Sequence, residues 1–477
     1  MFKRMAAAVC ALMLLLSAAA ASGETLYVQP GNLKGKEAFL AKHPEVTVKL
    51  VTDDHHNVIN MSTSELYAQI LTGEFNCDTY RLSTSHHDVK AIMNKGYLMD
   101  LSSSQVIADA VNRMWPSIRD QVTVDGKIYG VPSNENSDIL MCQTREFQEA
   151  GYDEQDVPHS FVELLDFLDR WIIRNEEEPQ SFQVFSDRNY EEYDRYSYIQ
   201  RLVEVLIDQY VMQRQYAGET MRFDDPALVE YLERCVVIGA KLGKMEAYDE
   251  AKYLALFGSF QSWGNVDAWS VATSVQEGQP RLIKVNLEMD VVNAGTPCPE
   301  LAVEYLEDSV LHPDHYFTAF SVYMDVEPIK NEFYEETLCW YSALVAMATD
   351  QLNGELKEID SYMDMLFGTE MQSDLRSLYN QIQDEGPADL REDLALWQRY
   401  LDKMPSREYD LSPEQIADYA KFAPTLFFPA PSVFSGSDEG RSTLYELERR
   451  FATGQINAQQ LCGELNRIAE MMEMEAQ

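Results

Sequence analysis

Hydrophobic and polar positions alternate along the first quarter of the chain in a pattern that predicts strands separated by helices. Residues 26–28 form a short apolar run, residues 46–50 alternate with period two, and residues 78–82 are predicted to form a third strand. Helical patterns lie between them, and the one from about Asp88 ends at Gly96. Strands that alternate with helices are typical of a parallel sheet, so this region is predicted to form an α/β lobe.

The rest of the chain is predicted to be mostly helical, with a brief return of strands. Residues 125–132 read DGKIYGVP, which indicates a turn, a short strand and a break. Two strand signals return at residues 281–285 and 289–293, and residues 335–422 are helical with breaks at two prolines. No internal repeat is visible.

Helix starts are marked by capping residues at two places. Ser160 and Glu163 have the spacing of a capping box before an apolar helix. Pro226 follows Asp225, which is the arrangement of an N-cap residue with proline in the first turn. These signals predict helices that begin at about residues 161 and 226.

The N-terminus has the three-part pattern of a cleaved export signal. Lys3 and Arg4 precede the apolar residues 5–16, and small residues continue to Gly23. The apolar run is shorter than the ~20 residues of a spanning helix, and no later segment is apolar enough, so no membrane insertion is expected after cleavage. Cys10 lies inside the apolar run, so we expect an exported protein without a lipoprotein cysteine at the cleavage site, located extracellularly, at the cell surface or in the periplasm.

Length and charge limit the possible classes of protein. A chain of 477 residues exceeds the ~250–300 residues at which one hydrophobic core stops growing, so two lobes are expected. The formal charge of −41 repels phosphate backbones, which argues against a nucleic-acid partner. We expect a monomer.

The cysteines beyond the export signal do not form a recognisable motif. They are widely spaced and include no C-x-x-C pair, which excludes a zinc ribbon or a thioredoxin-type motif. An exported compartment permits disulfides, but spacing does not define pairing, so disulfides and free thiols both stay open. The residues are Cys77, Cys142, Cys235, Cys298, Cys339 and Cys462.

The order of several short segments resembles that of a known family. The segment GYLMDL starts at Gly96, WPSIRD at Trp115, DGKIYGVP at Asp125 and FQEAGY at Phe147. Together with the later segments from Val292 and Gly454, this order is similar to bacterial extracellular solute-binding proteins of family 1, the maltose- and oligosaccharide-binding type. Such proteins are the substrate-binding subunits of ABC transporters.

The resemblance implies an α/β, two-lobed type II periplasmic-binding-protein fold, here with a large helical C-terminal portion. Residues 24–132 and 262–311 are predicted to form the first lobe. Residues 133–261 and 312–477 are predicted to form the second, mostly helical lobe. The solute would lie between the lobes, which close on it by a hinge motion.

Candidate ligand-binding residues follow from the predicted lobe crossings and, for Phe434, from a late aromatic-bearing loop that the resemblance implies. Amide and carboxylate side chains suit sugar hydroxyls, and tryptophan or phenylalanine faces can stack on a pyranose, although large aromatic residues more often belong to a core. A polar hinge loop without ligand contact is the alternative at the first crossing. The predicted contacts are Ser133, Asn134, Glu135, Trp263, Asn265 and Phe434.

Two histidine pairs in loops raise the question of a metal. His55 and His56 follow the second predicted strand, and His86 and His87 follow the third, where they can act as zinc ligands or as ordinary loop and helix-cap residues. Adjacent histidines rarely point at one ion, so neither a metal nor another cofactor is predicted.

These observations favour a binding protein over an enzyme. The predicted function is that of an extracellular solute-binding subunit of an ABC-type uptake transporter, which holds a sugar or oligosaccharide without chemical turnover and delivers it to a membrane permease. No GxSxG, HExxH or P-loop pattern is present in a credible context. Two alternatives stay open. One is a secreted glycan hydrolase with two carboxylates about 5–10 Å apart, and the other is a surface protein that kept the fold without the solute.

Overall fold

The structure of the protein is a computed structural model. It describes residues 24–29, 33–51, 61, 63–177, 183–185, 195–243, 253–258, 268–313, 322–366, 370–402, 404–432, 434 and 438–475. The predicted export signal, His55, His56, Trp263 and Asn265 lie outside the described residues.

The described residues contain both strands and helices. The strands are β1 (Thr25–Val28), β2 (Thr47–Leu50), β3 (Thr79–Ser83), β4 (Thr123–Val124), β5 (Lys127–Ile128), β6 (Val131–Gln143), β7 (Gln183–Phe185), β8 (Tyr253–Gly258), β9 (Ala268–Val271), β10 (Ile283–Val292), β11 (Ile329–Lys330), β12 (Tyr409–Leu411) and β13 (Leu426–Phe427). The helices are α1 (Leu33–Lys42), α2 (Thr63–Thr72), α3 (Val89–Asn94), α4 (Gln105–Arg113), α5 (Pro116–Val122), α6 (Thr144–Glu149), α7 (Phe161–Glu177), α8 (Arg195–Tyr216), α9 (Pro226–Leu242), α10 (Pro299–Leu311), α11 (Tyr334–Asn353), α12 (Asp360–Met363), α13 (Glu370–Asp384), α14 (Pro387–Asp402), α15 (Pro413–Phe422), α16 (Asp438–Ala452) and α17 (Ala458–Glu475).

Capping residues start the helices where the sequence predicts. The Ser160 side chain accepts a hydrogen bond from the Glu163 amide at 3.2 Å, and the Glu163 carboxylate accepts one from the His159 amide at 2.6 Å. The Asp225 side chain caps α9 by accepting from the Ala227 amide at 2.9 Å. Because these bonds satisfy amides that have no partner within the helix, they define where α7 and α9 begin.

One sheet connects most of the strands. Its order is β2-β1-β3-β10-β6-β8-β7, with β13 paired to β10 and β9 paired to β6. β1 is parallel to β2 and β3, whereas β10 is antiparallel to both β3 and β6. At the other side β8 is antiparallel to β6 and parallel to β7. The parallel strands predicted for the first lobe are therefore present.

The long strands β6 and β10 differ from the sequence prediction. The predicted break at Val131-Pro132 is wrong, because these residues begin the 13-residue strand β6. The two strand signals at residues 281–285 and 289–293 belong to the single strand β10. Pairing between these strands stabilises residues whose types do not favour strands by themselves.

Apolar side chains bury the faces of these elements. Around the parallel strands, Leu26, Val28 and Leu82 are fully buried. Another core contains residues of α7, α8, α9, α16 and α17, including the fully buried Leu168, Leu206 and Leu232. Gly239 of α9 lets that helix approach α8 closely, because a Cβ there would lie 2.7 Å from the Ile199 amide nitrogen.

Residue contacts divide the described chain into two compact units. The larger contains the described residues of Met1–Phe260, Trp269–Asp325 and Phe422–Gln477. The smaller contains those of Gln261–Ala268 and Val326–Lys421, and its own core includes Ala343, Met347 and Leu375. The boundaries of the two predicted lobes at residues 132, 261 and 311 stay a prediction.

Candidate functional site

Strands β6 and β10 link the two halves of the sheet in the larger unit. The last five residues of β10, Glu288–Val292, pair with β3, and Ile139–Cys142 of β6 pair with β8. β6 and β10 also pair with each other, from Lys284 opposite Asp138 to Asp290 opposite Val131. We refer to this pair as the crossing strands. They are the connection on which a hinge between the two halves would depend.

One face of the crossing strands is polar. Along β10 the apolar residues are buried, whereas Lys284, Asn286, Glu288 and Asp290 are half-buried at every second position. Alternate residues of a strand share a face, so these four side chains form a polar row. On β6 the residues opposite Glu288, Asn286 and Lys284 are Asn134, Asn136 and Asp138.

Three side-chain atoms of the crossing strands are buried without a hydrogen-bond partner in the described part of the chain. Gln143 Nε2 lies at the last residue of β6, whereas the Asn286 side-chain oxygen and the Ser133 hydroxyl lie where β6 and β10 run side by side. Ser133 is an extra residue in β6, since Asn134 pairs with Glu288 and Pro132 pairs with Met289. Buried polar atoms normally have partners, so the Asn286 and Ser133 oxygens are available to a ligand that brings hydroxyl groups.

The charged residues at both ends of the polar row form ion pairs. Arg81 on β3 places its Nε 2.8 Å from Asp290 Oδ1 and its Nη1 3.4 Å from Glu288 Oε2. The Asp290 carboxylate raises the pKa of Arg81, so this guanidinium stays charged. At the other end Lys284 Nζ lies 2.7 Å from both carboxylate oxygens of Asp208. The amide of Asn286 between them is uncharged, which suits a neutral polar ligand.

The loop after β3 is attached to the middle of β10. The Thr84 amide donates to the Leu287 carbonyl at 2.9 Å, and the Leu287 amide donates to Thr84 Oγ1 at 2.9 Å. This loop begins at the carboxyl end of a parallel strand, which is where ligands bind in open α/β sheets. The sequence prediction that residues 85–88 follow the third strand is therefore confirmed, and the structure places their loop beside the crossing strands.

The histidines of this loop have protein partners. His87 is buried, and its Nδ1 lies 3.1 Å from both the amide and the carbonyl of Ser83. In the described ranges no group of three or more His, Cys, Asp or Glu side chains is placed to hold a metal ion. The other histidine pair is outside those ranges, so a zinc analysis is still the test of the metal hypothesis.

The predicted ligand residues have different surroundings. Ser133 and the backbone of Asn134 and Glu135 lie in the crossing strands, where Glu135 pairs with Leu287. Phe434 is 4% exposed and packs edge-on against Phe223, with ring centroids 5.8 Å apart. It belongs to the core that contains residues of α7, α8, α9, α16 and α17. Burial in this core gives Phe434 a structural role, which is the alternative to the predicted ligand contact.

Sequence reasoning missed the residues of β10 and their partner on β3. Asn286, Glu288 and Asp290 are separated by single apolar residues, which is the period-two signal of a strand with one polar face. The signal was present, but dividing β10 into two strands concealed it. Arg81 gives no sequence signal, since its partners are more than 200 residues away.

All six cysteines described are free thiols. Cys142 and Cys235 are fully buried, and burial raises the pKa of both thiols, so they act as small apolar core residues. The structure therefore contains no disulfide among these six residues.

The α/β architecture with two crossing strands is that of a type II periplasmic-binding fold. A chitin oligosaccharide binding protein has this fold with a TM-score of 0.50 and 14% identity, over 94% of this chain and 98% of that chain. A D-mannitol-bound ABC transporter solute binding protein from Agrobacterium vitis S4 gives a TM-score of 0.49 at 15% identity, over 95% of this chain and 99% of that chain. Maltose-bound T. maritima MalE3 gives 0.49 at 14% identity, over 94% and 99%.

A family model also matches the sequence. Residues 37–253 match the family described as bacterial extracellular solute-binding protein, which confirms the predicted resemblance. No curated protein matches the chain in sequence. The family is one of exported binding proteins, and none of the described helices is long and apolar enough to cross a membrane.

Proposed function

We propose that the protein binds a sugar or oligosaccharide at the crossing strands and delivers it to the membrane permease of an ABC-type uptake transporter. The observation that carries the proposal is the pair of unpartnered buried oxygens, Asn286 Oδ1 and Ser133 Oγ, on strands that link the two halves of the sheet. A sugar hydroxyl can donate to either oxygen, and each buried hydrogen bond gained contributes about 0.5–1.5 kcal/mol.

Three further observations support a neutral solute. The charged residues beside Asn286 are already paired, and the formal charge of −41 disfavours an anion. The family binds solutes outside the cell, and the protein with the similar fold binds a chitin oligosaccharide. The N-terminal signal pattern supports an exported protein.

The test is calorimetric titration of the full mature chain with maltose, maltotriose, chitobiose, xylobiose, mannitol and a tripeptide. We expect at least one saccharide to bind, and Asn286→Ala to weaken that binding about tenfold, as expected for a lost buried hydrogen bond. Asn353→Ala is the matched control, because Asn353 is exposed at the end of α11 in the smaller unit.

Chromatography of the sugar after long incubation distinguishes binding from turnover. Intact sugar agrees with a transport protein, whereas shorter products would identify a hydrolase. Binding of the tripeptide alone would contradict the sugar assignment but not the family.

A further inference from the structure

A cavity of about 430 Å³ lies in the larger unit. Its walls are the C-terminal end of α8, the first residues of α9 and the loop from Val275 to Pro280. Small-molecule sites in proteins usually have volumes of about 300–1,000 Å³, so the cavity is large enough for a small ligand.

This cavity shares no lining residue with the polar row of β10. The cavity and the site proposed above are therefore lined by different residues.

The cavity is lined by aromatic and amide side chains that hold one another in place. Tyr231 donates its hydroxyl proton to Gln276 Oε1 at 3.0 Å, and Gln213 Nε2 donates to the Pro280 carbonyl at 2.7 Å. Gln279 Oε1 accepts from the Gln276 amide at 3.1 Å. Side chains fixed in this way lose little conformational entropy when a ligand binds.

The aromatic lining supplies surfaces on which a sugar ring can lie. Three tyrosines, Tyr210, Tyr216 and Tyr231, line the cavity, and Tyr216 is 51% exposed. A tyrosine combines an apolar ring face with a polar hydroxyl, which matches the alternating C–H and O–H groups of a pyranose.

Arg214 of the cavity forms an ion pair, but one of its donors is left over. Arg214 pairs with Glu219 at 3.0 Å, donates to the Thr220 carbonyl at 2.7 Å and lies over the Tyr210 ring. Its Nε is buried and has no hydrogen-bond partner in the described part of the chain. A ligand oxygen is the natural acceptor for this N–H group.

We infer that this cavity is a second binding site, for an uncharged polyhydroxyl ligand the size of a mono- or disaccharide. The tyrosine faces contact the ring, the amides bind its hydroxyls and Arg214 Nε donates to one oxygen. The overall negative charge of the protein disfavours an anionic occupant. The inference does not depend on the site at the crossing strands.

The test uses the full mature chain with maltose and chitobiose as probes, in titration calorimetry and ligand-observed NMR up to millimolar concentration. We expect a second class of sites, weakened about tenfold or more by Arg214→Lys, which keeps the charge but lacks the Nε–H group. Tyr216→Ala should weaken the same class, and because Tyr216 is exposed this variant should fold normally.

Controls separate the two sites. Arg467→Lys is the matched control, since Arg467 is an exposed residue of α17 paired with Glu464. Asn286→Ala should affect only the first class of sites. If neither probe binds in a second class, or if that class is unchanged in both Arg214→Lys and Tyr216→Ala, the cavity is not a saccharide site. If the wild-type protein has no class of sites that Asn286→Ala weakens, the proposed transport function is overturned and this inference is left intact.

Discussion

Phe434 shows how a residue proposed for ligand contact can instead be needed for folding. Its ring is buried beside Phe223 in the core that contains residues of α7, α8, α9, α16 and α17. We predict that Phe434→Ala lowers the free energy of unfolding by about 3–5 kcal/mol, because truncating a buried aromatic residue removes its packing and leaves a cavity. Chemical denaturation measures this change.

The matched control for Phe434 is Tyr445→Ala on α16, since Tyr445 is 50% exposed. Its free energy of unfolding should change by less than about 0.5 kcal/mol. A normally stable Phe434→Ala protein with weakened sugar binding would instead support the ligand contact.

Glu448 on α16 carries a carboxyl group buried beside other acids. It is 3% exposed, and burial, together with the charges of Glu204 and Asp208, raises its pKa to about 9 despite the opposing effect of Arg201. Burial penalises the charged form, so the folded protein holds Glu448 protonated at neutral pH.

This shift predicts that stability falls as pH rises. The pKa in the folded state lies above the ordinary value of 4.5, so the stabilisation is complete below about pH 4.5 and is lost progressively up to about pH 9. We expect Glu448→Gln to unfold at nearly the wild-type denaturant midpoint at pH 4.5 and at a higher midpoint at pH 8. A difference that does not change between these pH values would show that Glu448 is not protonated in the folded state.

At the scale of elements, the contact between α8 and α9 depends on a glycine. Gly239→Ala places a Cβ 2.7 Å from Ile199 Cγ1 and 2.8 Å from Ile199 Cα, and the latter is backbone that cannot easily move. We predict a loss of about 1–3 kcal/mol in the free energy of unfolding, typical of overpacking.

The control for that change is Gly463→Ala in α17, where an added Cβ meets no atom within 4 Å. Alanine is the better helix former, so this variant should be more stable by up to about 1 kcal/mol. If the free energy of unfolding falls in Gly239→Ala and rises in Gly463→Ala, the effect of packing is separated from that of helix propensity. Equal effects would exclude a close contact between α8 and α9.

The elements that sequence predicts well are those with local signals. The helices α7 and α9 begin at capping residues a few positions away, and Asp88 caps α3 in the same way. The crossing strands could not be predicted so well, because β6 contains Pro132 and Asn134, which disfavour strands. Their pairing partners on β10 lie about 150 residues further along the chain, so no local pattern identifies them.

The candidate site was predictable only in part for the same reason. Ser133 was identified because it lies near a predicted lobe crossing. The contacts of Asn286 and Arg81 depend on the register of β10 against β6 and β3. That register is set by pairing between residues far apart in the sequence, so these two residues could not be identified from it. Family resemblance predicted a crossing near residue 133 but did not indicate the polar row.

At the scale of the whole molecule, the fold predicts that solute binding changes the shape of the protein. If the two predicted lobes close by bending at the crossing strands, the saccharide identified by calorimetry should reduce the radius of gyration measurably in solution X-ray scattering. The Asn286→Ala protein at a sugar concentration too low to saturate it should keep the larger radius. An unchanged radius in the saturated wild-type protein would contradict hinge closure.

The extra residue in β6 has a consequence for how related chains can differ in length. Side chains of a strand alternate between faces, so deleting a residue normally turns every following side chain to the wrong side of the sheet. Ser133 is the exception, because its removal would pair residues 132 and 134 with Met289 and Glu288 in regular succession. Homologues that are one residue shorter in this strand should therefore have lost this position, and with it the hydroxyl group.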